Sequence, residues 1–357
     1  MLNKGCKMSK SMKSQAPVQN ETSPTSKRKQ EHIKICLEKD IEFRKSNGFE
    51  KYEFEHWALP ELNLSEIDTS TRFLGKTFSF PFFIEPLTGG APGTEKINAN
   101  LARAAEEFGI GMGLGSQRAM LDEPELAYTY MVRNVAPHIF LLGNLGAVQL
   151  SKTPVNEIKA MIKEIGGDGL AVHLNAAQEI CQPEGDTDWR DVLPNIEKIC
   201  RNTSFPVVIK ETGCGINCDI AKQLESAGAS CLDIAGAGGS CFTRVEYYRG
   251  AKTAEPFFEW GIPTAESLRQ CRIAVKIPLI ASGGIRTGVE CAKALAMGAS
   301  LVGFGLPLLK PAKMSYREVV GKLESFGAEF RRAMLLVGAK SIEELKKTKV
   351  MPHVPNL

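Results

Sequence analysis

Two kinds of stretch alternate along the chain. Short apolar runs bounded by Gly or polar turns are followed by longer segments whose apolar positions recur at helical spacing. Runs of four or five residues without polar alternation suit strands buried on both faces, as in a parallel sheet. Eight runs fit: residues 81–85, 110–114, 139–143, 169–173, 207–210, 231–235, 277–281 and 301–304. Helical periodicity fills 94–108, 155–165, 192–201, 218–227 and 288–297, and 315–338 reads as a closing helix. The longest gap, 236–276, predicts an extended loop and then a helix near 265–273, a length that in compact domains marks function or mobility.

Strand–helix alternation builds βαβ units, and eight of them suggest an α/β fold of the (β/α)8 TIM-barrel type. An open doubly wound sheet is the structural alternative, but it would place a G-x-G-x-x-G turn after its first strand. Here the Gly-rich turns follow the seventh strand and surround the eighth, where barrels bind phosphate. The expectation is one barrel domain over residues 27–350, with its N-terminal helical extension folded over the barrel mouth. Residues 1–26, polar and rich in Lys, Ser and Pro, read as a disordered tail.

Composition narrows the classes. A chain of 357 residues, 43% hydrophobic, can bury one large core. A net charge of +3 gives no reason to expect nucleic acid. Ten cysteines without a C-x-x-C pair argue against zinc and against a disulfide framework, which points to a reducing, cytoplasmic setting. No apolar run has the length of a bilayer span, so no membrane partner is expected.

Barrel chemistry collects at the C-terminal strand ends. Read in order, those ends supply Thr88; Ser116, Gln117 and Arg118; Asn144; His173, Asn175, Gln178 and Glu179; Lys210 and Glu211; Ser240 and Cys241; Ser282, Gly283, Gly284 and Arg286; and Gly305. Singly, each could be a cap or turn residue. Together, polar groups converging on one mouth imply a polar ligand that pairs them. Ser282-Gly283-Gly284-Ile285-Arg286 leaves a strand and enters a helix, a geometry that lets backbone N–H groups cradle an anion. Gly305 can form a second wall. Lys210 ends the apolar run Val207-Val208-Ile209, either as a snorkelling terminus or as a cation beneath an electron-rich cofactor ring. The basic run Lys27-Arg28-Lys29 reads as a solvated face, or as an anion grip that offsets its poor placement at a helix start.

Several of these stretches resemble the type 2 isopentenyl-diphosphate delta-isomerases over about residues 27–312. The carriers are Arg28-Lys29-Gln30-Glu31-His32-Ile33, Leu87-Thr88-Gly89-Gly90, Gly115-Ser116-Gln117-Arg118, Gly143-Asn144-Leu145-Gly146, His173-Leu174-Asn175-Ala176-Ala177-Gln178-Glu179, Gln182-Pro183-Glu184-Gly185-Asp186, Trp260-Gly261-Ile262-Pro263-Thr264 and Ala281-Ser282-Gly283-Gly284-Ile285-Arg286. The resemblance implies redox-neutral interconversion of isopentenyl and dimethylallyl diphosphate with reduced FMN, NADPH as reductant and Mg2+. By the same resemblance Arg28, Lys29, His32, Ser116, Gln117, Arg118, Asn175 and Gln178 bind substrate. Gln178, His173 and Lys210 act in catalysis, and Glu179 holds Mg2+. Pro86, Leu87, Thr88, Ser116, Asn144, Lys210, Ser240, Gly283, Gly284, Ile285, Arg286, Gly305 and Leu306 meet FMN. It also implies a homo-oligomer, tetramer or octamer. The sequence departs from the pattern at Ala235, at Ser240-Cys241-Phe242 and at Pro86-Leu87, which bears on individual FMN contacts.

Three other readings compete. The run 236–244 is similar to the cysteine loop of IMP dehydrogenase, with Cys241 as nucleophile. An FMN-dependent 2-hydroxy-acid oxidase would want a His near the sixth strand, and 233–246 has none. A catalytically silent flavin-binding barrel is the third.

Overall fold

A computed structural model describes residues 23–353. Helix α1 (Pro24–Glu38) starts on the Ser23 cap, whose side chain accepts from the Ser26 amide. It therefore begins inside the stretch expected to be tail, and residues 1–22 of that expectation lie outside the described residues. Three short strands precede the barrel: β1 (Tyr52–Phe54), β2 (Thr71–Phe73) and β3 (Lys76–Phe78). β2 and β3 form a hairpin whose two-residue turn, Leu74-Gly75, has positive φ at both positions. Such a turn matches the strand twist but costs a side-chain-bearing residue there. The hairpin packs Phe73 and Phe78 against Phe140.

The eight expected runs become parallel strands β4 (Phe82–Ile84), β5 (Gly111–Gly113), β6 (Leu141–Gly146), β7 (Gly169–Leu174), β8 (Val207–Glu211), β9 (Cys231–Asp233), β10 (Leu279–Ala281) and β11 (Leu301–Phe304). They close into a barrel in chain order, sealed by β11 against β4 with Val302 opposite Phe82. β4, β5, β9 and β10 are shorter than the expected runs, while β7 and β8 each run one residue further, to Leu174 and Glu211. β6 runs on to Gly146 and carries Asn144 within the strand.

Helices α2 (Thr94–Phe108), α3 (Arg118–Asp122), α4 (Val155–Glu164), α5 (Ala176–Glu179), α6 (Val192–Asn202), α7 (Cys218–Ser226), α8 (Phe242–Tyr248), α9 (Thr264–Ala274) and α10 (Gly288–Ala296) lie between the strands. The long gap is thus mostly helical: α8, a short 3-10 segment (Lys252–Phe257) and α9. Its helical first half escaped the pattern because α8 buries Thr243, Arg244 and Glu246 as well as Val245. After β11 come α11 (Leu306–Met314), α12 (Tyr316–Leu336), α13 (Ile342–Leu345) and β12 (Val350–Pro352). α12 seals the barrel wall. Its Phe326 stacks on Phe304 with ring centroids 4.4 Å apart, and Phe330 sits edge-on to Phe82. Each such buried ring contributes roughly 1.5–3 kcal/mol. β12 pairs antiparallel with β1, joining the two ends of the described chain.

Candidate active site

A cavity of about 280 Å3 opens at the C-terminal ends of the barrel strands, under α1. Of the residues expected to form the site, Arg28, Lys29, His32, Pro86, Leu87, Thr88, Ser116, Arg118, Asn144, His173, Asn175, Gln178, Glu179, Lys210, Ser240, Gly283, Gly284, Arg286, Gly305 and Leu306 all line it. Two do not. Gln117 is wholly buried, with its Oε1 accepting the Asn144 amide at 3.0 Å and its Nε2 directed at the Met120 sulfur, so it braces β6. Ile285 is buried in the core, as an apolar side chain inside a polar turn should be.

One wall is backbone. Gly283 and Gly284 have φ of 101° and 73°. A Cβ at Gly283 would fall 2.1 Å from the Gly236 carbonyl oxygen, and one at Gly284 would fall 2.3 Å from that of Gly238. Side chains are therefore excluded by main chain rather than by movable atoms. Among the described residues no protein acceptor takes the amides of Gly283 or Gly284. The turn is pinned from behind. Asn47 Nδ2 donates to Gly284 O at 2.8 Å and to Glu290 at 2.7 Å, and Glu290 closes a capping box with Thr287 at the start of α10. Gly305 opens α11 beside it. Two helix starts and two free amides are the chemistry that can hold a phosphate.

The opposite wall is charged side chains. Lys29 reaches down from α1, and its Nζ donates to the carbonyls of Gly89 and Ser116 (2.5 Å to the latter) and to Tyr130 Oη at 2.8 Å. Burial, then the neighbouring Arg28, lowers its pKa to about 7. Burial also lowers that of Arg28, whose guanidinium lies 3.8 Å from Glu184. Arg28 and Lys29 are on the second turn of α1, so they escape the dipole penalty expected for a helix start.

Glu246 on α8 joins this lid to the barrel. It is fully buried. His32 Nε2 and Gln178 Nε2 donate to its Oε1 at 2.9 and 3.0 Å, and Arg249 donates to its Oε2 at 2.6 Å. Burial would raise this carboxyl, but the bonds from His32, Gln178 and Arg249 outweigh it and hold it below its ordinary value. Arg249 also bonds Glu184 at 2.8 Å and Glu31 at 3.2 Å. Neither Glu246 nor Tyr130 was among the expected site residues.

On the barrel floor, burial followed by the charges of Lys210 and Lys29 lowers His173 to about 3, so the ring is neutral. Its Nδ1 donates to Asn144 Oδ1 at 2.7 Å, which leaves a lone pair on Nε2. Glu179 accepts from Asn175 Nδ2 at 2.9 Å and from the Asp186 amide at 2.7 Å. Among the described residues no group of three or more His, Cys, Asp or Glu is placed to hold a metal ion. Cys241 lies outside the cavity, with its thiol against Thr243 Oγ1 at 3.1 Å and Phe258 O at 3.3 Å. That removes it from a nucleophile's position.

This architecture has counterparts. A family model of FMN-dependent dehydrogenases matches residues 25–124 and 147–352. An isopentenyl-diphosphate delta-isomerase of Pyrococcus furiosus is 46% identical over 346 residues, spanning 93% of this chain and 88% of the relative. The chain belongs to the isopentenyl-diphosphate delta-isomerase family. A Rickettsia bellii isopentenyl-diphosphate delta-isomerase is 44% identical over 92% of this chain and 98% of its own length. Among solved structures, a Pediococcus acidilactici lactate oxidase superposes with a TM-score of 0.66 at 18% identity, over 90% of this chain and 87% of that one. A mandelate oxidase with (S)-2-phenylpropionate gives 0.64 at 18%, over 90% and 94%. These oxidases share the family's barrel, and at that identity the likeness concerns the fold alone. Among the described residues no helix is long and apolar enough to cross a membrane.

Proposed function

We propose that the protein interconverts isopentenyl and dimethylallyl diphosphate, using bound FMN kept reduced by NADPH, with Mg2+. The observation that carries this reading is a single mouth with two separate anion sites. The Gly283-Gly284-Gly305 cradle suits the FMN phosphate, and Arg28, Lys29 and Arg118 suit a diphosphate. Reduced FMN, when bound, supplies the proton chemistry at the alkene.

The protein's own groups bind and orient. Lys210 lines the cavity from β8 and would face the cofactor there. Gln178, fixed by Glu246 and lining the cavity, would meet the isoprene unit. His173, neutral, offers an Nε2 acceptor rather than a cation. Glu179 would give Mg2+ one carboxylate, and the diphosphate and water would complete the shell, as suits a cation that keeps several waters. α1 covers the mouth and excludes solvent from the reacting carbons. A homo-oligomer, tetramer or octamer, and a cytoplasmic location complete the reading. The well-exposed Trp57, Leu59 and Trp260 favour the first, and nine free thiols among the described residues favour the second.

The deciding experiment is isomerisation of isopentenyl diphosphate with FMN oxidised and reduced. Product is expected only with reduced FMN and Mg2+. No product under those conditions overturns the proposal.

A further inference from the structure

The cavity floor holds one more acid than the chemistry above uses. Glu85, just beyond the end of β4, meets Lys210 and Asp233. Glu85 Oε2 and Asp233 Oδ2 each lie 3.5 Å from Lys210 Nζ. All three residues are buried. Lys210 commits one donor to Glu211 O at 2.7 Å. Ser282 Oγ donates to Asp233 Oδ1 at 2.6 Å. Glu85 Oε1 has no partner. It presses on Gly303, where an added Cβ would sit 2.1 Å away, so the glycine on β11 is what makes room for the carboxyl.

Charge counting decides the state of this cluster. One ammonium faces two carboxyls. The other titratable groups at this level have partners of their own. Glu211 Oε2 accepts from the amides of residues 212, 213, 214 and 215, which oppose the burial that raises its carboxyl to about 7, and neutral His173 is held by Asn144. Two ionised carboxylates against one ammonium would bury a net negative charge, and an acid in that position sheds it by keeping its proton. Asp233 has the Ser282 hydroxyl to support its charge, and Glu85 Oε1 has nothing. Burial, then the nearness of Asp233, push the Glu85 carboxyl well above the usual range, with Lys210 opposing.

We propose that Glu85 is a positioning residue that stays protonated beneath the flavin pocket, its hydrogen shared with Asp233, so that Lys210 faces the cofactor against one carboxylate rather than two. The proposal rests on the FMN reading above. Its effect is on the reduced flavin. A floor of zero net charge accepts the negative charge of reduction, and a floor carrying an ionised Glu85 would oppose it.

Two measurements on the full-length holoenzyme test this. The first is the infrared carbonyl stretch of a protonated carboxyl at about pH 8, where exposed carboxylates are ionised and silent in that region. The wild type should show the band. Glu85→Gln should lose it, and so should Asp233→Asn, because Glu85 then ionises to pair with Lys210. Absence of the band in the wild type overturns the proposal, whatever the reaction catalysed. The second is the reduction equilibrium of the bound flavin. Each single variant keeps a zero net charge and should stay within about twofold of the wild type. The double variant leaves Lys210 unopposed and should favour reduced flavin by about tenfold, about 30 mV for a two-electron couple. A tenfold shift in either single variant would mean that both carboxyls are ionised, and would overturn the proposal. A chain that binds no flavin but keeps the band would refute the functional reading and leave the shared proton standing.

Discussion

The two proposed anion sites of the mouth are made of different material. The Gly283-Gly284 cradle is neutral main chain, fixed by Asn47, Glu290 and the start of α10. The α1 site is ionised side chains on a helix held to the barrel by Lys29 and by the Glu246–Arg249 cluster. Fixed dipoles carry no titration and no side-chain entropy, which suits a cofactor that stays. Side-chain cations respond to pH and salt, and they can retract with their helix, which suits a substrate that must leave.

The largest effect should come from damaging the rigid half. Gly283→Ala forces a Cβ against the Gly236 carbonyl at a φ of 101°. Strain of about 1–3 kcal/mol is expected, together with loss of FMN on purification. A yellow, fully loaded Gly283→Ala protein would show that the cradle is not the phosphate site.

Next is the charged half. Lys29→Met should raise the KM for isopentenyl diphosphate roughly 10- to 100-fold, the equivalent of one charge-assisted bond of about 1.5–3 kcal/mol, with FMN content unchanged. A KM that stays put would confine Lys29 to pinning α1 on the barrel.

A smaller effect should follow from pH alone. The folded Lys29 titrates near 7, below its ordinary 10.5. Its proton is therefore present below about pH 7 and lost above it in the free enzyme. The substrate KM should climb above pH 7 toward the Lys29→Met value and level off there, while FMN affinity stays flat. The same shift makes the lysine's burial least costly at high pH, so its contribution to stability rises between about 7 and 10.5. Parallel pH profiles for FMN and substrate would erase the contrast between the two sites.

The smallest effect belongs to Cys241→Ala, expected to keep activity within about threefold, since its thiol is enclosed by Thr243 and Phe258 rather than facing the cavity. Trapping of a covalent Cys241 adduct would return the nucleophile reading.

What was legible in the sequence follows from the same physics. The barrel strands show because a strand buried on both faces must be apolar throughout, and the cradle shows because only glycines tolerate its backbone. The β2–β3 hairpin was missed, since three-residue strands are too short to display alternation and Leu74 disguises a turn that usually reads as Asn-Gly. Glu246 was missed because two of its partners, His32 and Gln178, come from α1 and α5, distant in sequence, and spacing carries no record of them. Glu85 had a readable signal: a carboxyl ending the apolar run Phe82-Phe83-Ile84, the same mark that singled out Lys210 after Val207-Val208-Ile209. Gln117 failed in the other direction, since a polar side chain in a polar motif can be spent on bracing a strand.

The pairing of β1 with β12 gives the molecule an order of assembly. β1 lies beyond α1, after residues 39–51, and forms its two-stranded sheet with residues 350–352. As the chain leaves the ribosome, β1 is made before every barrel strand and its partner β12 after all of them. The barrel strands can therefore close before β1 finds its partner, and the β1–β12 pair forms across a barrel already made.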